Sequence, residues 1–316
     1  MTLTVATSLA ETLRLLADGA RPIAGGTDLV VAARSGKAPL PQHLVAIDRL
    51  DELIGWVEVD GGIRIGAATS HQKLLVSDIV ADRYTGLADA AALIGSPATR
   101  HLGTIGGNIM NASPAMDTGA PLVTLNAEIE LESVDGRRRV PVADLWVAPG
   151  RTVAAANELC TGVVLPDPLA HWPEGARHGS AYIRLEYRRA MEIAVVGAAA
   201  SVTVDPNDQV LGVSVALSAV GPTIMALTDC DLAGFPATHD PSGTNNPSAA
   251  DEVRTLAQEQ ATPISDLRAS DRYRRHCVGV LAARAFEAAV ARAHGDPLSI
   301  PANRSHGVGA ETGATQ

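Results

Sequence analysis

Two glycine-rich stretches constrain this chain more than any other feature. Residues 24–29 read Ala-Gly-Gly-Thr-Asp-Leu, and residues 104–117 read Thr-Ile-Gly-Gly-Asn-Ile-Met-Asn-Ala-Ser-Pro-Ala-Met-Asp. Adjacent glycines accept positive φ and leave backbone N–H groups uncovered, so Gly25–Gly26 and Gly106–Gly107 can each form the concave anion site that holds a pyrophosphate. Asn108, Asn111 and Ser113 add short neutral hydrogen-bonding groups beside the second pair. Two such turns converging on one diphosphate suit a dinucleotide. Each stretch alone reads equally as a tight turn between apolar residues. Neither carries Gly-x-Gly-x-x-Gly or a Walker lysine, so residue chemistry reaches an anion or nucleotide cradle, with plain turns as the alternative.

Bulk properties narrow the class. The 316 residues suffice for two or three domains with real cores. Aromatic residues make up only 3% while alanine and valine abound, so small side chains must fill those cores and elements must approach closely. A net charge of −10 argues against nucleic acid, whose phosphates demand a basic face. No apolar run nears the ~18 residues of a membrane span, and the first residues lack the pattern of a signal peptide, so the expected location is the cytoplasm. Cys160, Cys230 and Cys277 are far apart and without His or Cys in ligand spacing. Neither a zinc site nor an iron–sulfur cluster is expected on this chain, and no disulfide framework.

Local signals predict the organisation. Ser8-Leu9-Ala10-Glu11 is a capping box with Leu9, Leu13 and Leu16 on one helix face and Gly19 at its end. A strand at 21–24 enters the first glycine turn, Asp28 caps a helix at 29–34, and 43–48 is a further strand. Asp60-Gly61-Gly62 and Asp135-Gly136 mark hairpins, and 70–76, 85–94 and 119–125 read as helices. Residues 103–117 read as a loop and 166–178 as a linker. Strands at 180–187, 195–204 and 209–219, then helices at 249–260 and 271–293, suggest a three-stranded sheet with a helical layer. Residues 229–248 read as a surface loop. The expected boundaries are lobe 1 at 1–54, lobe 2 at 55–175, a C-terminal α+β domain at 176–293 and a disordered tail at 294–316.

The pair 24–29 and 104–117 resembles the two FAD-binding loops of the flavoprotein (medium) subunit of molybdenum hydroxylases, the family of the carbon monoxide dehydrogenase medium subunit and the xanthine dehydrogenase FAD domain. The resemblance continues in order through Tyr182-Ile183-Arg184, the run Arg188–Val196, Val220-Gly221-Pro222-Thr223, the run Pro263–Arg268 and Tyr273-Arg274-Arg275-His276, spanning about residues 3–293. It implies an α+β fold: a two-lobed FAD-binding domain of the PCMH (vanillyl-alcohol-oxidase-like) type, then a domain with a three-stranded antiparallel sheet and helices. It implies noncovalent FAD here, with molybdopterin and [2Fe-2S] clusters only on partners. Those partners are a large molybdopterin subunit and a small [2Fe-2S] subunit, in a dimer of heterotrimers. The chain would accept electrons from the [2Fe-2S] subunit and pass them to an external acceptor, with no catalytic acid, base or metal ligand of its own.

Residue by residue, the resemblance places Ala24, Gly25, Gly26, Thr27 and Asp28, with Thr104, Gly106, Gly107 and Asn108, around the diphosphate. Asn111 stands where relatives often carry Thr or His. Asp117 takes the position of an aspartate that binds flavin hydroxyls, or else caps the helix at 118–125. Leu159, Cys160 and Thr161 align with a segment packed on the flavin ring. Arg184 replaces a lysine near that ring, where a cation would favour the anionic reduced flavin; the alternative is a surface arginine in a weak ion pair. Arg188, Arg189 and Glu192 either meet partner subunits or cap a strand in water. His276 reads as a helix-surface residue, and no metal triad emerges around His71 and His101. A self-contained flavin oxidase and a nucleotide-binding regulatory protein are the rival functions. Many such oxidases carry a histidine in the first glycine turn for covalent flavin attachment, and Thr27-Asp28 stands there in this chain.

Overall fold

The computed structural model describes residues 1–237 and 248–303; most of the second half of the predicted 229–248 loop and the tail beyond Asn303 lie outside the described residues. The chain opens with β1 (Thr2–Val5), α1 (Leu9–Ala17), β2 (Arg21–Ile23), α2 (Leu29–Arg34), β3 (His43–Ala46), β4 (Trp56–Val59) and β5 (Gly62–Gly66). Six helices follow: α3 (His71–Leu75), α4 (Asp78–Arg83), α5 (Thr85–Leu93), α6 (Pro97–Leu102), α7 (Ile105–Asn111) and α8 (Gly119–Thr124). Next come β6 (Glu128–Ser133), β7 (Gly136–Pro141), α9 (Val142–Leu145), β8 (Trp146–Ala148), β9 (Arg151–Thr152) and β10 (Leu159–Pro166). The last elements are β11 (Arg177–Leu185), β12 (Val196–Val204), β13 (Val210–Ser218), β14 (Met225–Ala226), α10 (Ala249–Gln260) and α11 (Asp271–Ala293).

The chain forms two compact units. Unit 1 comprises residues 1–74, 95–113 and 126–166; unit 2 comprises 75–94, 114–125 and the chain from 167. This division differs from the expected boundaries, because 75–94 and 114–125, assigned above to lobe 2, belong with the C-terminal part. The cause is buried chemistry that no local pattern announces. In α5, Asp89 is fully buried and takes both Nη atoms of Arg292 on α11, at 2.6 and 2.9 Å.

In unit 1 the parallel sheet β1-β3-β2 carries α1, and the antiparallel sheet runs β4-β5-β10-β6-β7. The predicted cap is present in a variant form: Ser8 Oγ accepts the Glu11 amide, while the Glu11 carboxylate reaches one residue past the cap to the Thr7 amide. Leu13 and Leu16 bury beside Val45, Ile47, Leu50 and Leu53 in the core of the first lobe. Both predicted hairpins are present, β4–β5 and β6–β7.

In unit 2 the sheet runs β11-β12-β13-β14, antiparallel throughout, so the predicted three strands gain a two-residue fourth. Alanine lets α11 lie against β11: a Cβ on Gly179 would stand 2.1 Å from the Ala289 carbonyl oxygen. Ala282, Ala285, Ala288 and Ala289 are fully buried there with Phe286 and Val278. This is where the shortage of aromatics takes effect, since close backbone approach replaces large side chains as the source of packing contacts. The tail, expected to be disordered from 294, instead packs as far as Asn303; Ala302 is fully buried and its amide donates to Asp89 Oδ1 at 2.8 Å.

Candidate functional site

The glycine pairs of both stretches lie in unit 1, and Asp28 and Asn111 join the two stretches there. β2 ends at Ile23, and the chain turns through Gly26 at φ +68°, a backbone that favours glycine. Gly25 presses so closely on α6 that a Cβ would stand 1.8 Å from the Leu102 carbonyl oxygen. Among the described residues, the backbone N–H groups of Gly25, Gly26, Thr27 and Asp28 donate to nothing. Four successive free donors in a half-exposed turn are the groups from which an anion nest is built. Asp28 precedes α2 without a side-chain cap, contrary to expectation; its carboxylate instead accepts Asn111 Nδ2 at 3.3 Å, linking the first loop to the second.

The second stretch departs from the expected loop. Thr104 caps α7, its Oγ accepting the Gly107 amide at 3.1 Å, and Gly106 and Gly107 lie in the first helical turn without positive φ. Their amides are spent inside the protein, Gly106 on the Ala67 carbonyl at 2.8 Å and Gly107 on Thr104. The glycines therefore serve close approach rather than a left-handed turn. A Cβ on Gly106 would stand 2.6 Å from Ala67 Cβ, whereas one on Gly107 would meet only Thr104 Oγ at 3.0 Å. Asn108 follows, half-buried, its amide on the Thr104 carbonyl. Ala112 closes α7 at φ +50°, held by the Gly150 amide on its carbonyl, and Trp146 Nε1 donates to the Ile109 carbonyl at 3.0 Å.

Ala67 joins this helix to Thr161. Its amide donates to the Thr161 carbonyl, which also accepts Arg64 Nη2 at 2.8 Å. Thr161 sits at an irregularity of β10 between Cys160 and Gly162, and its buried hydroxyl has no partner among the described residues. Burial pushes the Cys160 thiol up to about 12, which keeps it protonated. His71, noted in the sequence only as a flanking histidine, is buried. Its amide donates to the Gly103 carbonyl, and its ring lies 3.3 Å from where a Gly103 Cβ would stand, with Thr27 Oγ 3.5 Å from the same point. Burial first, then Arg100, pushes its pKa down to about 4, so the imidazole is neutral at pH 7.

The other two predicted residues belong to unit 2 and pair with each other. Asp117 accepts Tyr182 Oη at 2.9 Å on one oxygen and Arg184 Nη1 at 2.7 Å on the other. Arg184 also donates through Nε and Nη2 to Glu186 Oε2 at 3.0 and 2.9 Å, and its side chain is fully buried. Burial pushes the Asp117 carboxyl up and Arg184 pulls back only part of that rise. Two predictions are corrected. Asp117 is no helix cap, because Thr118 holds that place before α8. Arg184 is no surface arginine, because its side chain is fully buried and paired with the Asp117 and Glu186 carboxylates. Sequence alone hid this, since Asp117 and Arg184 are 67 positions apart.

The first turn fits a diphosphate through its four uncovered amides at Gly25–Asp28, while the missing Cβ atoms of Gly25 and Gly106 serve close packing on the Leu102 carbonyl and on Ala67. Residues 1–168 match the family described as FAD binding domain in molybdopterin dehydrogenase, and residues 181–289 match the CO dehydrogenase flavoprotein C-terminal domain. The chain is 31% identical over 294 residues to a xanthine dehydrogenase FAD-binding subunit of Escherichia coli, covering 92% of this chain and 96% of that one. It is 32% identical to a carbon monoxide dehydrogenase medium chain of Afipia carboxidovorans, covering 90% and 95%. A structure of reconstituted CO dehydrogenase from Oligotropha carboxidovorans superposes with a TM-score of 0.83 at 30% identity, covering 92% and 98%.

Fold and cradle together define an FAD-binding α+β flavoprotein of the oxidoreductases. The chain belongs to the family of FAD-binding medium subunits of molybdenum hydroxylases.

Proposed function

We propose that this chain is the electron-transfer flavoprotein of a heterotrimeric molybdenum hydroxylase, accepting electrons from a small [2Fe-2S] subunit and passing them to an external acceptor. The run of four free amides at Gly25–Asp28 carries the reading. These donors, flanked by Ala24, take the diphosphate, and Thr104, Gly106, Gly107 and Asn108 flank it, the amides of the last three being already used inside the protein. Asn111 is a further cradle residue, already tied to Asp28. The Asp117 carboxylate accepts a flavin hydroxyl, each of its oxygens keeping a lone pair beyond the bonds from Tyr182 and Arg184. Arg184 acts through Asp117, pairing with that carboxylate and holding it in one orientation. Thr161 lends its unpartnered hydroxyl. Bound FAD supplies the junction between one-electron and two-electron transfer.

Substrate oxidation falls to a large molybdopterin subunit, and the assembly is a dimer of heterotrimers in the cytoplasm. Similarity to medium chains of CO dehydrogenase along almost the full length supports this division of labour. The binding part is tested on the purified chain, which should show the visible spectrum of oxidised flavin, bleach with dithionite and release one FAD per chain on acid denaturation. Chromophore retained on the denatured polypeptide, or FMN in place of FAD, refutes it.

A further inference from the structure

β11 is the edge strand of its sheet, and an edge strand leaves alternate amides without a ladder partner. Here side chains take them. The Tyr182 amide donates to Asp89 Oδ2 at 3.0 Å, and the Arg184 amide donates to Asn303 Oδ1 at 2.6 Å. Asn303 is held by the segment before it. The Ala302 amide donates to Asp89 Oδ1 at 2.8 Å, and Arg292 Nη2 donates to the Ser299 carbonyl at 3.2 Å. Residues 299–303 thus form a strap along the outer edge of β11, within unit 2, and Asn303 is almost fully buried at its end. The match to the family's C-terminal domain ends at residue 289, so the strap lies beyond it.

The two amides capped in this way belong to Tyr182 and Arg184, the residues whose side chains hold the two oxygens of Asp117. We propose that Asn303 is a positioning residue of the flavin site. By fixing the Arg184 backbone it sets the direction of both donors to Asp117, and so the direction of that carboxylate's remaining lone pairs. The proposal rests on the functional reading of Asp117 above. Without the Asn303 acceptor, the buried Arg184 amide is unsatisfied and β11 must shift to reach water or another acceptor.

Asn303→Ala and Asn303→Asp in the full chain test this, because aspartate keeps the acceptor at the same reach. Three quantities are measured: FAD affinity by titration of the apoprotein, thermal midpoint of the apoprotein, and hydrogen exchange at the Arg184 amide. Asn303→Ala should weaken FAD binding about tenfold and speed Arg184 exchange at least tenfold, magnitudes typical of one buried unsatisfied amide. Asn303→Asp should stay within about threefold of wild type in FAD affinity, given the acceptor it retains. Faster exchange with unchanged FAD affinity in Asn303→Ala assigns the strap to stability alone and overturns the proposal, as does equal loss in both variants. A wild-type chain that binds no FAD instead refutes the functional reading, whatever the exchange data show.

Discussion

Asp117 and Arg184 are buried together, and each supplies the other with an opposite charge. A buried guanidinium without a counter-ion is strongly unfavourable, and Arg184 is fully buried. Asp117→Ala leaves it with Glu186 alone and leaves the Tyr182 hydroxyl without its acceptor on this side. The apoprotein should therefore lose roughly 2–4 kcal/mol in urea unfolding, and FAD binding should weaken by about 1–3 kcal/mol for the lost acceptor. Unchanged FAD affinity beside a lower stability would confine Asp117 to a structural role. Histidine supplies the second residue-scale test. His71 is held down to about 4 by burial and then by Arg100, against 6.5 when exposed. Its folded-state pKa is depressed, so the folded chain favours the neutral ring; that contribution is complete above pH 6.5 and drains as pH falls toward 4. His178, pushed down to about 4 by burial, adds a second drain in the same window. Between pH 7 and pH 5 wild type should lose about 2 kcal/mol of stability relative to His71→Gln. Urea unfolding of both at pH 7, 6 and 5 reads the gap, and a gap that does not change with pH contradicts the burial of a neutral imidazole.

The glycines show how far single elements were legible. The hairpins at Asp60-Gly61 and Asp135-Gly136, the α1 cap and the long α11 were all readable, because turn chemistry and caps act within a few residues. The helix α7 was not. Paired glycines in Thr-Ile-Gly-Gly-Asn lower helix propensity, and their reason lies in Ala67, which a helical Gly106 must approach. The departure changes what a mutation does. Gly25→Ala drives a methyl into the Leu102 carbonyl and should destabilise the apoprotein by 2 kcal/mol or more, on the order of a severe core overpacking. Gly107→Val meets only the Thr104 hydroxyl and should leave most of the fold intact while stripping FAD, because the valine covers the exposed face of the first turn. Flavin content and apoprotein melting separate the two. Full flavin occupancy in Gly107→Val places the diphosphate elsewhere.

At the scale of the whole molecule, the ordered motifs were enough to place the chain in its family, but not to draw its units. The stretches 75–94 and 114–125 join the C-terminal unit through contacts such as Asp89 with Arg292, 203 positions apart, and no local pattern carries such information. The same distance hid the strap at 299–303. Composition, by contrast, did forecast how unit 2 is filled, with alanine on α11 against Gly179 on β11. In the function proposed, this chain holds FAD and moves electrons but does not itself oxidise the organic substrate. Stopped-flow absorbance of the flavin, with a substrate that the assembled complex oxidises, addresses it directly. Dithionite should reduce the flavin in both samples, and substrate should reduce it rapidly in the complex with the molybdenum and iron–sulfur subunits and not at all in the chain alone. Rapid reduction of the isolated chain by the organic substrate would contradict the proposed function and make the protein a self-contained flavin oxidase.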